Sequence, residues 1–151
     1  MSEIELDGKK VEVLEGRTVM HAADKASIYI PHFCDHKKLS IAANCRMCLV
    51  DIEKQPKPMP ACATPVTQGM IVRTKSDKAI RAQQSVMEFL LTNHRLDCPI
   101  CDQGGECLLP DTAVGYGAYA SRYQAENRHV GQREVRPLST VGGRRRGTAS
   151  P

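Results

Sequence analysis

Apolar and polar residues alternate at the start of the chain, with Ile4 and Leu6 before the pair Asp7-Gly8 and Val11 and Val13 after it. A period of two interrupted by Asp-Gly predicts a β-hairpin over residues 3–14, because both turn positions accept positive φ. Gly16 breaks the pattern, and Thr18 is placed to cap a short helix with Val19, Met20, Ala22 and Ala23 on its apolar side. Pro31 ends the stretch from Ile28 to Ile30. From Leu39 to Cys48 the residues are mostly small or irregular, which predicts a loop whose backbone N–H groups can approach an inorganic centre. Leu49, Val50 and Ile52 predict a strand, Pro56, Pro58 and Pro60 an exposed turn, and Met70 to Val72 a last strand. Short strands, one helix and a long loop predict a small α+β domain ending near Thr74.

The period then changes. Ser76 and Asp77 read as a helix start, and Ile80, Val86, Met87, Leu90 and Leu91 follow at helical spacing as a stripe expected to face a core. After Cys107 the chain is rich in Gly, Ala and Tyr, as in Val114-Gly115-Tyr116-Gly117, and then becomes polar. The final stretch, Ser139 to Pro151, has no apolar period and is expected to be disordered.

Composition adds a constraint. With 4% aromatic residues and no Trp in 151, part of the stability is expected to come from bound metal. The N-terminus lacks a basic segment followed by an apolar one, and no apolar run approaches a membrane span, so a reducing cytosol is the expected compartment. The formal net charge is +4, and Arg144, Arg145 and Arg146 carry much of the excess into the terminal stretch. That distribution suits a solvated tail better than a nucleic-acid surface, and no nucleic-acid partner is expected.

The chemistry lies in the seven cysteines. His94, Cys98, Cys101 and Cys107 fall within fourteen residues, with Pro99, Gly104 and Gly105 supplying the bends. The other four, Cys34, Cys45, Cys48 and Cys62, are spaced Cys-x10-Cys-x2-Cys-x13-Cys. Two groups of four ligands use every cysteine once. A reducing compartment and an odd cysteine count argue against a disulfide framework, and a thioredoxin-like Cys-x-x-Cys explains neither His94 nor the remaining cysteines. His21, His32, His36 and His129 lack a comparable setting.

Both groups have ligand sets that zinc accepts. Each, however, has one Cys-x2-Cys and two more distant single ligands, whereas zinc knuckles usually come in short pairs; an iron–sulfur core spreads its ligands over a larger polyhedron. The first group approximates the plant-type ferredoxin arrangement, with x10 in place of the usual x4, and suits [2Fe–2S]. Arg46 between the paired cysteines is either a source of charge compensation or a solvent-facing loop residue. The second group suits [4Fe–4S] with His94 on one iron. No nucleophile elbow, phosphate loop or dinucleotide fingerprint is present, so no catalytic residues are assigned and the expected role is an electron relay between partner subunits.

These residues also carry a resemblance. The run Leu90 to Asp111, with Ile30-Pro-His-Phe-Cys34, Asn44-Cys-Arg-Met-Cys-Leu-Val50 and Pro60-Ala-Cys-Ala-Thr-Pro65, closely resembles the N-terminal iron–sulfur region of the G subunit of bacterial NADH-quinone oxidoreductase, respiratory complex I. The likeness extends to about Arg128. It implies a β-grasp, plant-type ferredoxin-like domain over residues 1–75 with [2Fe–2S] on Cys34, Cys45, Cys48 and Cys62. A small helical domain over 76–128 with [4Fe–4S] on His94, Cys98, Cys101 and Cys107 is then implied, followed by a polar tail over 129–151. It further implies electron flow from NADH through the flavin subunit's clusters toward quinone. The partners would be other peripheral-arm subunits, and the chain a peripheral subunit on the cytoplasmic side of the bacterial inner membrane without a span of its own.

Two departures fall off the ligands: Arg95 stands where the family usually has Pro, and Pro110 where it often has Gln. The family continues into a further four-cysteine cluster site and a large molybdopterin-enzyme-like domain, so the change of composition near Leu138 reads as a truncated or frame-shifted product. The same two-cluster module resembles the diaphorase subunit of NAD-reducing hydrogenases, iron-only hydrogenases and some formate dehydrogenases. A two-zinc structural adaptor is the alternative of another class.

Overall fold

A computed structural model describes residues 1–94, 97–120 and 122–123. The tail expected over 129–151, and the last residues of the region expected over 76–128, lie outside them. The expected hairpin is present as β1 (Ser2–Leu6) and β2 (Lys9–Val13), antiparallel with Ile4 opposite Val11. Asp7 and Gly8 take φ of 48° and 82°, both left-handed, as a type I′ turn requires. Asp7 also accepts from the Thr74 N–H at 2.7 Å and from its hydroxyl, so the turn is tied to a residue far along the chain.

The remaining strands are β3 (Leu49–Ile52), β4 (Met59–Pro60) and β5 (Ile71–Arg73). They join the hairpin in the order β2-β1-β5-β3-β4, where β5 runs parallel to β1 and antiparallel to β3. The Pro run is therefore only partly an exposed turn: residues 53–57 are exposed, but Pro60 is buried opposite Leu49 in an edge strand. An edge tolerates a residue with no N–H to donate.

Helix α1 (Val19–Lys25) buries Val19, Met20, Ala22 and Ala23, the four residues its pattern marked. Thr18 occupies the N-cap position without capping the backbone; its hydroxyl pairs with His21 Nδ1 at 2.8 Å. The core joins this helix face to Ile4, Leu6, Val11, Val13, Val50, Ile52 and Val72 from the sheet, and it includes Cys48 and Cys62.

Helix α2 (Asp77–Leu91) begins at Ser76, whose hydroxyl accepts from the Ala79 N–H. The helical period is as expected but the buried stripe is rotated. Ala79, Gln83 and Met87 are buried, whereas Ile80 is exposed and Val86, Leu90 and Leu91 are half-buried. A polar residue can hold this face because Gln83 Nε2 donates to the Leu49 carbonyl at 3.0 Å. A third helix, α3 (Leu108–Tyr116), occupies the stretch rich in Gly, Ala and Tyr, within the region the resemblance implies to be helical. Among the described residues no helix is long and apolar enough to cross a membrane.

Candidate metal centre

The first cysteine group sits beside the sheet, on segments that the backbone locks to one another. In the loop ahead of β3, Ala43 and Arg46 adopt φ of 50° and 58°. Each such non-glycine residue costs about 1–2 kcal/mol. The conformation turns N–H groups toward sulfur: the Cys45 amide donates to Cys34 Sγ at 3.4 Å. Arg46 itself is exposed, and Met47 beside it is fully buried. Cys48 immediately precedes β3, and its carbonyl accepts from the Ala61 N–H at 2.9 Å. Ala61 and Thr64 in turn accept from the first two N–H groups of α1, those of Met20 and Val19 at 3.0 Å each. Orphan donors of the helix start thus hold the segment that carries Cys62.

The four cysteines lie close enough to act on one another's thiols. Cys34 with Cys45 is half-buried, and Cys48 with Cys62 is buried; each pair shares a side-chain hydrogen bond. Burial alone would raise the Cys34 thiol, but N–H groups of Cys45 and Asn44 more than offset it, and the pKa lies below its ordinary value. Burial raises Cys48. Burial, the hydrogen bond to Cys48 and the neighbouring Cys48, Cys34 and Asp35 push Cys62 up to about 12. Neighbouring thiolates, two of them buried, need a positive centre to hold their charge, so the donor set fits a cationic iron–sulfur core.

The second group is more open. A 3₁₀ turn (Cys98–Ile100) follows Asp97, with Cys101 N–H donating to Cys98 O at 3.3 Å and Gly104 N–H to Cys101 O at 2.9 Å. Gly104 is needed sterically: an added Cβ would lie 2.7 Å from Cys98 O and 3.0 Å from Cys101 O. Gly105, at φ +88°, is needed conformationally. His94 follows α2, its N–H bonded to Leu91 O, and Cys107 is the N-cap residue of α3. His94, Cys98, Cys101 and Cys107 all border one cavity of about 400 Å³, together with Ile100 and Pro110. Among the described residues no three His, Cys, Asp or Glu side chains converge on the spacing of a single ion. Four donors around one cavity are a set that could hold a metal centre there.

Sequence reasoning named the eight candidate ligands and missed what holds them. Glu88 on α2 accepts four hydrogen bonds from Arg122 beyond α3, one from its backbone N–H at 2.8 Å and the others from its guanidinium. These bonds hold the Glu88 carboxyl below its ordinary pKa, so the pair is charged through neutral pH. Tyr29, ahead of the first loop, lies 6.2 Å from Tyr116 at the end of α3 and 6.0 Å from His32. No sequence signal links residues so far apart.

Residues 1–77 match the family described as 2Fe-2S iron-sulfur cluster binding domain. Residues 83–122 match the NADH-ubiquinone oxidoreductase-G iron-sulfur binding region. The NADH-quinone oxidoreductase G subunit of Rickettsia bellii is 51% identical over 138 residues, which cover 91% of this chain and 20% of that protein. The mitochondrial NADH-ubiquinone oxidoreductase 78 kDa subunit of Neurospora crassa is 50% identical over 138 residues, 90% of this chain and 18% of the relative. The chain thus spans about a fifth of the length of these curated relatives. Among solved structures, an NAD+-reducing [NiFe]-hydrogenase in the H2-reduced state matches with a TM-score of 0.71 and 28% identity, covering 84% of this chain and 55% of that one.

Proposed function

The chain belongs to the 2Fe-2S iron-sulfur cluster binding domain family, and from that premise we propose that it is the two-cluster electron-relay region of the G subunit of an NADH-quinone oxidoreductase. The observation that supports this reading is that His94, Cys98, Cys101 and Cys107 border one cavity while Cys34, Cys45 and Cys62 are each close enough to Cys48 to act on its thiol. In it, residues 1–75 form a β-grasp ferredoxin-like domain holding one [2Fe–2S] on Cys34, Cys45, Cys48 and Cys62. Residues 76–128 hold one [4Fe–4S] on His94, Cys98, Cys101 and Cys107, and residues 129–151 are a polar tail. The mixed sheet with α1 packed on it supports the first assignment, and the cavity bordered by four donors supports the second.

When bound, such clusters accept and release single electrons. The chain's residues shape the environment of that charge. The Cys45 N–H donates to the half-buried sulfur of Cys34, which stabilises added negative charge there. Cys48 and Cys62 exclude water from the inner side of the first site. At the second site a neutral imidazole from His94 would contribute one negative charge fewer than a thiolate.

Electrons would pass from NADH by way of a flavin-bearing subunit toward quinone, with the chain docked among other peripheral-arm subunits on the cytoplasmic side of the bacterial inner membrane. Identity near one half to the NADH-quinone and NADH-ubiquinone oxidoreductase relatives, against 28% to the hydrogenase chain, supports this parent complex over a hydrogenase diaphorase.

The test is iron, sulfide and zinc content with a visible spectrum, on protein purified and reconstituted without oxygen. The expected result is brown protein with about six iron and about six sulfide per chain. Colourless protein with about two zinc would overturn the reading in favour of a structural adaptor.

A further inference from the structure

The loop of the second site has no core of its own. No residue from Asp97 to Cys107 is buried, and in α3 only Thr112 is, with its hydroxyl turned back onto Leu108 O of the same helix. His94 is fixed at the end of α2 and Cys107 at the start of α3. Whether the four donors face one another therefore depends on what holds α3 and its continuation against α2.

The geometry points to the Glu88–Arg122 pair as that device: we propose that it is a positioning pair for the second cluster, closing the loop from outside so that Cys107 stays opposite His94, Cys98 and Cys101. The inference rests on the reading that these four residues hold an iron–sulfur cluster. A surface ion pair ordinarily contributes little, because two long side chains must be ordered in water. This one differs in geometry. Both Glu88 oxygens are engaged by the Arg122 guanidinium, and Oε1 also accepts the Arg122 backbone N–H at 2.8 Å, so the main chain itself is pinned to α2. Glu88 is the more enclosed partner, with 17% of its side chain exposed against 80% for Arg122. Tyr116 packed on Tyr29 anchors the end of α3 to the first region, so the clamp acts on a segment already tethered once.

The test uses the full chain loaded anaerobically, as parent, Glu88→Gln, Arg122→Met, the double variant and Arg122→Lys. Each is challenged with an iron chelator while the two clusters are followed separately by visible circular dichroism and by electron paramagnetic resonance after reduction. Loss of the four-iron cluster is expected to be roughly 2- to 5-fold faster in either single variant, the scale set by a well-formed exposed ion pair. The double variant should be no worse than the singles, Arg122→Lys should recover part of the loss, and the two-iron cluster should be lost at the parental rate in all of them. A variant that never acquires the second cluster while loading the first also supports the proposal. Parental loss rates at the second cluster, or equal acceleration at both clusters, would overturn it. A parent chain that itself binds no second iron–sulfur cluster would remove the underlying reading as well, and that result is visible before any variant is compared.

Discussion

At the scale of single residues, ligands and glycines divide the work. Thiols supply charge density, while the glycines of the second loop supply room. Gly104→Ala would drive a methyl group into the carbonyls of Cys98 and Cys101, so the loop must open. Iron is then expected to fall from about six to about two per chain, with the two-iron spectrum retained. Gly115→Ala is the matched control: its added Cβ meets nothing within 4 Å, and it lies inside α3. There alanine should leave iron content unchanged and raise helix stability by about 0.5–1 kcal/mol, read by chemical denaturation. Equal iron loss in both variants would mean that the contacts at Gly104 carry no weight. The ligands were legible in sequence because their spacing is itself the chemical signal. Gly104 was legible as a bend, but its steric reason was not, since that arises from two carbonyls that approach only after the loop has closed.

At the scale of elements, α2 separates what periodicity reports from what packing decides. Ile80, Val86, Met87, Leu90 and Leu91 establish a helix, but the face that meets β3 is the one bearing Ala79, Gln83 and Met87. Met87→Ala should cost about 2–5 kcal/mol in a urea unfolding experiment, because a fully buried side chain leaves a cavity. Gln83→Ala should cost about 1–3 kcal/mol by leaving the Leu49 carbonyl without its side-chain donor, provided the site stays dry. Phe89→Ser, at a position 78% exposed, should change stability by less than about 0.5 kcal/mol. A large effect at Phe89 with a small one at Met87 would place the buried face elsewhere. Helix α3 was not legible in local propensity, because Pro110 and Gly115 lower it. Pro110 is tolerated because it falls in the first turn, where its missing N–H has no partner to lose.

At the scale of the molecule, the apolar core is assembled from residues 4–72, whereas the second site hangs from α2 and α3 with little buried surface. Metal removal should therefore act unevenly. Amide exchange after chelation is expected to accelerate over residues 97–120 and to change least in β1 and β5, where strands lie in the middle of the sheet. Uniform acceleration across the chain would show that the sheet, too, depends on metal. The sequence by itself determined the elements with local causes: the Asp7-Gly8 hairpin, the face of α1, the Ser76 cap and the two ligand groups, each encoded within a few turns or a short spacing. Only the tertiary structure decided the parallel pairing of β1 with β5, Pro60 as an edge strand, the face that α2 buries and the closure of Glu88 on Arg122. These join residues distant in sequence, and their free energy comes from surfaces and hydrogen-bonding groups that exist only once the chain has brought them together.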